Sequence, residues 1–110
     1  MSPRSELMEE RSKQLFGQAH RLAVMIAIAH SVDGRVNPTD LTFQLEIAQS
    51  AFQAPLRDLV AAGLVTRVFE RGRNFYVREK SKVWDWILEL EEQLAAEEAQ
   101  RKKVRSLRSS

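Results

Sequence analysis

The sequence predicts a mainly α, α+β winged helix-turn-helix: a two- or three-stranded β-wing on a helical core, with an N- and C-terminal helical layer. Three observations predict it, all between Leu45 and Val77. Phe52, Leu56, Leu59, Val60 and Gly63 recur at three- and four-residue steps, one face of a helix, with Gln49, Ser50, Gln53 and Arg57 opposite. Gly63 fits the left-handed position that follows a helix end. Two short runs rich in β-branched and aromatic residues, Val65–Phe69 and Phe75–Val77, then flank Arg71-Gly72-Arg73-Asn74. These read as strands joined by a tip with two residues tolerant of positive φ.

Composition bounds the rest. At 110 residues, 44% hydrophobic, the chain suits one small domain with a helical extension. It contains no apolar run of about 18 residues, so no membrane partner is expected. The acidic start MSPRSELMEE does not read as a signal peptide. A cytoplasmic, nucleoid-associated location follows as the expectation. With no cysteine, there can be no disulfide or thiolate metal site. A net charge of +2 says little, and its distribution says more.

In chain order, a first helix is predicted after Pro3, capped by Ser5, with Glu6 in its first turn and Gly17 at its end. From Gln18 to His30 the residues QAHRLAVMIAIAH are apolar almost all round, as in a helix buried on several sides. Ser31-Val32-Asp33-Gly34 marks a turn, and Arg35-Val36 could add a third strand. Asn37-Pro38-Thr39-Asp40 is a helix start: Asn as N-cap, Pro at the first position, an acid at the third. That short helix runs through Leu45, and Glu46-Ile47 turns the chain into the next helix, completing a helix-turn-helix.

Pro55 falls inside that second helix, where a proline costs about 3 kcal/mol. Either the helix starts near Ile47 and kinks at Ala51, or Ala48–Phe52 form a loose turn and the regular helix begins near Ala54. The kink is preferred, because Phe52 and Leu56 keep their register across it. Ser81 opens a last helix expected to reach Val104, with Val83, Ile87, Leu90 and Leu94 stepping by four, three and four. Such a helix would span about 36 Å, more than a core this small can cover. The organisation expected is residues 1–17 as a dimerisation helix, 18–80 as the winged core, 81–104 as a dimerisation helix and 105–110 as a disordered tail.

Several stretches resemble those of the ArsR-type winged-helix repressors. They are Leu15-Phe16-Gly17, Arg21-Leu22, Ala62-Gly63-Leu64-Val65 and the Gly72-centred hairpin with Tyr76 in its returning strand. The resemblance covers residues 7 to 95, and its motifs are shared by other bacterial winged-helix regulators, MarR-type ones included. It implies a homodimeric transcription factor that binds operator DNA and pairs through its terminal helices. Repression is the expected mode, since nothing resembles an activation domain. The chain departs from the family at Pro55. It also lacks the cysteine pairs and the helix-borne histidine sets of metal-sensing members, so metal sensing does not carry over.

Charge and side-chain chemistry assign the expected contacts with double-stranded DNA. Asp40, Glu46 and Asp58 outnumber Arg57 in the helix pair, whereas Arg67, Arg71, Arg73, Arg78 and Lys80 outnumber Glu70 and Glu79 in the wing. The wing arginines Arg67, Arg71 and Arg73 suit phosphates or a narrow minor groove. Gln49 and Gln53 suit adenine, Ser50 suits phosphate or base, and Thr39 and Arg57 complete the set. Dimerisation is assigned to Leu7, Met8, Leu15, Val83, Trp86, Ile87, Leu90 and Leu94, with Leu90→Glu expected to split the dimer without unfolding the wing. No cofactor, metal or catalytic site is expected, since His20 and His30 lie ten residues apart with no acid at ligand spacing. An effector, if there is one, is expected to be organic or a partner protein, bound near Trp84, Trp86 and the core helix. The reading from a different class is a winged helix that serves as a protein-interaction module.

Overall fold

The computed structural model describes residues 6–108. In order, the elements are α1 (Glu6–Phe16), α2 (Arg21–His30), β1 (Arg35–Val36), α3 (Pro38–Leu45), a 3₁₀ turn (Gln49–Phe52), α4 (Gln53–Ala61), β2 (Val65–Glu70), β3 (Arg73–Arg78) and α5 (Lys82–Arg108). The sheet is antiparallel with β3 in the middle, in the order β1-β3-β2. Helices α3 and α4, the short strand β1 and the hairpin β2–β3 make a winged helix-turn-helix, as the sequence predicts. The cap expected of Ser5 lies outside the described residues.

Helix α2 is the spine of the core. Leu22, Val24 and Ile28 have no exposed surface, and every residue from Leu22 to Ile28 is buried. The helix starts at Arg21 rather than at Gln18, and the reason is local. Gly17 takes a left-handed φ of +73°, closing α1 with its N–H on the Lys13 oxygen at 2.9 Å. Ser12, itself fully buried, then bridges the two helices. Its hydroxyl donates to the Gln18 carbonyl and accepts from the Leu22 N–H at 3.1 Å. One of the orphan donors at the start of α2 is thus satisfied by a side chain from the preceding helix.

Asn37 caps α3 as its sequence requires: its side-chain oxygen accepts from the Asp40 N–H at 2.9 Å, with Pro38 at the first position. Glu46 ends α3 in the left-handed region, φ 56°, with its N–H on the Thr42 oxygen. The next turn corrects one expectation. The chain does not form a continuous helix kinked at Ala51. Gln49–Phe52 is a 3₁₀ turn, and the α-helix begins at Gln53. Pro55 therefore lies in the first turn of α4, where backbone N–H groups have no intrahelical acceptor and a missing one costs nothing. Both Phe52 and Pro55 are fully buried, which fixes the turn against the core.

Helix α4 ends in a Schellman motif, with the Leu64 N–H on the Leu59 oxygen, the Gly63 N–H on the Val60 oxygen, and Gly63 at φ +78°. The wing that follows is longer than predicted, with all six residues of each strand paired from Val65↔Arg78 to Glu70↔Arg73. Its tip is only Arg71-Gly72, with φ of 53° and 77°, the signature of a type I′ turn. Arg71, and not Asn74, supplies the second left-handed residue; Asn74 is a strand residue opposite Phe69.

Helix α5 continues to Arg108 instead of ending at Val104, so residues 105 to 108 are helical and the tail expected over them is not separate. It starts on Ser81, whose hydroxyl accepts from the Val83 N–H at 3.1 Å. Trp84 is anchored by its indole N–H, which donates to the Glu79 carbonyl at 2.9 Å. At 27 residues, the helix is about 40 Å long. Its N-terminal half packs on α2 and α1, while residues 99–107 are exposed on all sides.

Candidate nucleic-acid interface

The 3₁₀ turn and α4 present their polar side to solvent because Phe52, Leu56 and Leu59 hold the opposite side in the core. Gln49, Ser50, Gln53 and Arg57 are accordingly all exposed. Strand alternation sets which wing residues join them. Val65, Arg67 and Phe69 point to one side of β2, with their cross-strand partners Arg78, Tyr76 and Asn74. Thr66, Val68 and Glu70 point to the other, with Val77, Phe75 and Arg73.

The first of these sides meets α4. Gln49, Gln53, Arg57, Arg67, Asn74 and Tyr76 line one open cleft of about 390 Å³, floored by Phe52 and Leu56. Four residues singled out from two separate stretches of sequence therefore share a single concave surface. Ser50 is exposed at its end of the turn, and Thr39 is exposed on the first turn of α3, but neither lines the cleft.

The structure separates the wing arginines that the sequence groups together. Arg73 lies across from Glu70 on the side away from the cleft, and it shares a second hollow with Arg71, Asp33, Arg35, Asp40 and Phe75. In that hollow Arg35 pairs with Glu70 at 2.6 Å and its guanidinium stacks 4.4 Å from the Phe75 ring centre. Arg35 thus neutralises the wing's own acid and leaves Arg71 and Arg73 exposed with no ion pair among the described residues. Asp33 is held below the ordinary carboxylate range, chiefly by the Arg35 backbone N–H and then by the Ser31 hydroxyl.

Two charges counted in the sequence tally do other work. Arg78 is removed from the wing's outward field: its Nη1 donates to the carbonyls of Ile28 and Ala29, at 2.9 and 2.8 Å, at the end of α2. Asp58, counted against the reading helix, is paired with Arg21 of α2. Neither role has a local sequence signal, because both join elements tens of residues apart. The net effect is a less acidic α4 and a hairpin whose outward cations are Arg67, Arg71 and Arg73, with Lys80 exposed just beyond β3.

The residues assigned to dimerisation divide in two. Leu7, Met8, Ile87, Leu90 and Leu94 are buried against the chain's own helices, and Val83 is half-buried on the same core. Leu15 and Trp86 remain exposed, at 46% and 44%, and Trp86 meets the Phe16 ring edge-on at 6.2 Å. A charge at Leu90 would therefore enter the monomer's core, not only an interface. Trp84, expected near an effector, is 6% exposed and lies beside a shallow hollow of about 750 Å³ that does not include Trp86. Among the described residues, no helix is long and apolar enough to cross a membrane, and no group of three His, Cys, Asp or Glu could hold a metal.

This arrangement has counterparts among solved structures. A MarR family transcriptional regulator from Streptomyces coelicolor superposes with a TM-score of 0.64 at 17% identity, over 93% of this chain and 82% of that one. The reduced form of MarR from E. coli gives 0.63 at 21% identity, over 94% and 76%. Sso10a-2, a DNA-binding protein from Sulfolobus solfataricus, gives 0.60 at 20% identity, over 78% and 93%. The fold is the winged helix of these regulators. No family model matches the sequence, and no curated protein does. At such identities the likeness is one of fold, and the function rests on the side chains described above.

Proposed function

We propose that this chain is a transcriptional regulator that binds double-stranded DNA as a homodimer, acts as a repressor and is not an enzyme. The observation that carries the reading is the cleft where Gln49, Gln53 and Arg57 of the helical side face Arg67 of the wing. Two amides and two guanidinium groups on one concave surface suit base edges and phosphates together. Arg71 and Arg73 extend the cationic surface at the tip, with Ser50 and Thr39 as additional phosphate donors. In this reading α4 enters the major groove and the wing lies over the neighbouring backbone. The winged regulators and the DNA-binding protein with the same fold support it.

The dimer rests on α5. Trp86, Gln93, Gln100 and Leu107 recur at seven-residue intervals on its exposed surface. An antiparallel pair of α5 helices would set Trp86 opposite Leu107 of a second copy and Gln93 opposite Gln100. The same register faces the acids of residues 89–92 with the bases of residues 101–105, an isologous and charge-complementary contact. Two-fold pairing would present two clefts to two half-sites.

Retention on heparin, followed by a gel shift on mixed-sequence duplex, tests the reading. Retention with a salt-sensitive shift is expected. A chain that flows through heparin and leaves duplex unshifted would instead be a protein-interaction module.

A further inference from the structure

Among the described residues, the wing carries one exposed aromatic side chain, and the contacts proposed above do not use it. Phe69 is 70% exposed, close to the tip of β2. Its alternation places it on the cleft side of the sheet, one step beyond Arg67 and two residues before the Arg71-Gly72 turn. The residues on that side of β2 grow more exposed outward: Val65 is buried, Arg67 lines the cleft, and Phe69 stands clear of the domain. A phenyl ring there adds nothing to the core and has no ring partner among the described residues. It follows Arg67 on the surface that also carries Gln53 and Arg57, whereas Arg71 of the turn borders the hollow on the other side of the sheet.

We infer that Phe69 is an apolar wedge that inserts between base pairs of duplex DNA at the wing contact. The inference rests on the duplex-binding reading above and adds a mode of recognition to it. Arg67, on the same side of the sheet, would grip a phosphate beside the ring, while the ring has no hydrogen bond to offer a base edge. What it can offer is stacking surface to a base step that opens. Side chains of this kind partly unstack a step and kink the duplex by about 20–90°. Pyrimidine–purine steps open most readily, so the wedge reads deformability and favours TpA over stiff A-tracts.

The test uses the full chain with two duplexes of equal length and composition, one of repeated TpA steps and one built on an A-tract. Each carries 2-aminopurine in place of some adenines, and end-labelled copies report bending by energy transfer. Binding should brighten 2-aminopurine in the TpA duplex, shorten its end-to-end distance and favour it over the A-tract duplex. Phe69→Ala should abolish all three effects and keep the salt dependence of binding, whereas Phe69→Leu, still a wedge, should retain them. Phe69 is exposed, so neither variant should alter the thermal unfolding midpoint. A Phe69→Ala protein that brightens and bends the TpA duplex as the parent does overturns the wedge and leaves duplex binding intact. A parent protein that binds both duplexes without unstacking either has the same meaning. Tighter binding to single strands than to duplex, or no binding to duplex at any salt, overturns the wedge together with the reading it rests on.

Discussion

Arg78, the last residue of the wing, donates from Nη1 to the Ala29 carbonyl at 2.8 Å and so ties the hairpin to the end of the central helix. The same nitrogen reaches Ile28 at 2.9 Å, and the Arg78 backbone N–H donates to the Gly34 oxygen at 2.7 Å. A guanidinium at the carbonyl end of a helix answers its last acceptors, of which Ile28's also takes the Ser31 N–H at 3.2 Å, and the negative end of the dipole. Arg78→Ala should therefore destabilise the domain by about 2 kcal/mol, within the range for hydrogen bonds to charged groups. Urea unfolding followed by the tryptophan signal measures it. An unchanged midpoint would mean that Arg78 belongs with the wing's outward cations after all.

Pro55 offers a test of the helix start. In the first turn of α4 it costs no hydrogen bond, and its buried ring fills space beside Phe52 and Leu56. Pro55→Ala should destabilise by about 1 kcal/mol, through lost packing and a freer unfolded chain. Stabilisation of several kcal/mol in the same urea titration would instead indicate a proline breaking the middle of a helix.

Arg71 sets stability against binding. It holds φ 53° in a type I′ turn, a position that suits Asn or Gly better than a long side chain. Arg71→Asn should raise stability by roughly 0.5 kcal/mol while weakening affinity for every duplex. Thermal unfolding and fluorescence anisotropy on the same preparation check both halves.

Asp33 gives the structure an acid-side dependence. Its carboxylate accepts from the Arg35 N–H at 3.1 Å and the Ser31 hydroxyl at 3.0 Å, so the charged form is favoured and the folded-state pKa is lowered. A lowered value means that the contribution is present above the unfolded pKa and fades as pH falls through the folded one. Asp33→Asn should accordingly lose stability at neutral pH relative to the parent and lose less in acid. Parallel urea titrations at the two pH values would show it, and a constant difference between the proteins would contradict it.

The α5 contact separates two kinds of apolar residue. Trp86→Glu, at an exposed position, should yield a folded monomer by light scattering with an unchanged helical signal. Leu90→Glu should unfold the chain, since it places a charge where Leu90 is 6% exposed. A parent protein that scatters as a monomer at micromolar concentration would remove the two-half-site arrangement.

Most of the fold was legible because its signals are local. Asn37-Pro38 announces α3, Gly63 announces the end of α4, the β-branched runs announce the wing, and the all-round apolar run at Leu22–Ile28 announces the spine. The 3₁₀ turn was harder to read. Phe52 and Leu56 keep helical spacing across it, and only the tertiary packing of Phe52 and Pro55 decides where the α-helix begins. The site was legible as residue types but not as groupings. Strand register places Arg67 in the cleft and Arg73 on the far side, and a register is not fixed until the length of the tip is known. Arg78 and Asp58 were misleading for another reason: their partners, at Ile28–Ala29 and Arg21, are distant in sequence. In α5, the fading apolar stripe hid a helix that continues to Arg108 on polar residues of good helix propensity.

In the proposed function, α4 and the wing form one surface for duplex DNA, with the arginines supplying charge and the glutamines supplying choice. Anisotropy titrations of a mixed-sequence duplex at several salt concentrations test it most directly, comparing the parent with Arg67→Ala/Arg71→Ala/Arg73→Ala and with Gln49→Ala/Gln53→Ala. For the parent, log affinity should fall linearly with log salt. The slope should drop by about 0.9 for each phosphate contact that the arginine variant loses, whereas the glutamine variant should keep the parent's slope and affinity on this duplex. A parent affinity independent of salt, or an arginine variant with the parent's slope, would contradict the account.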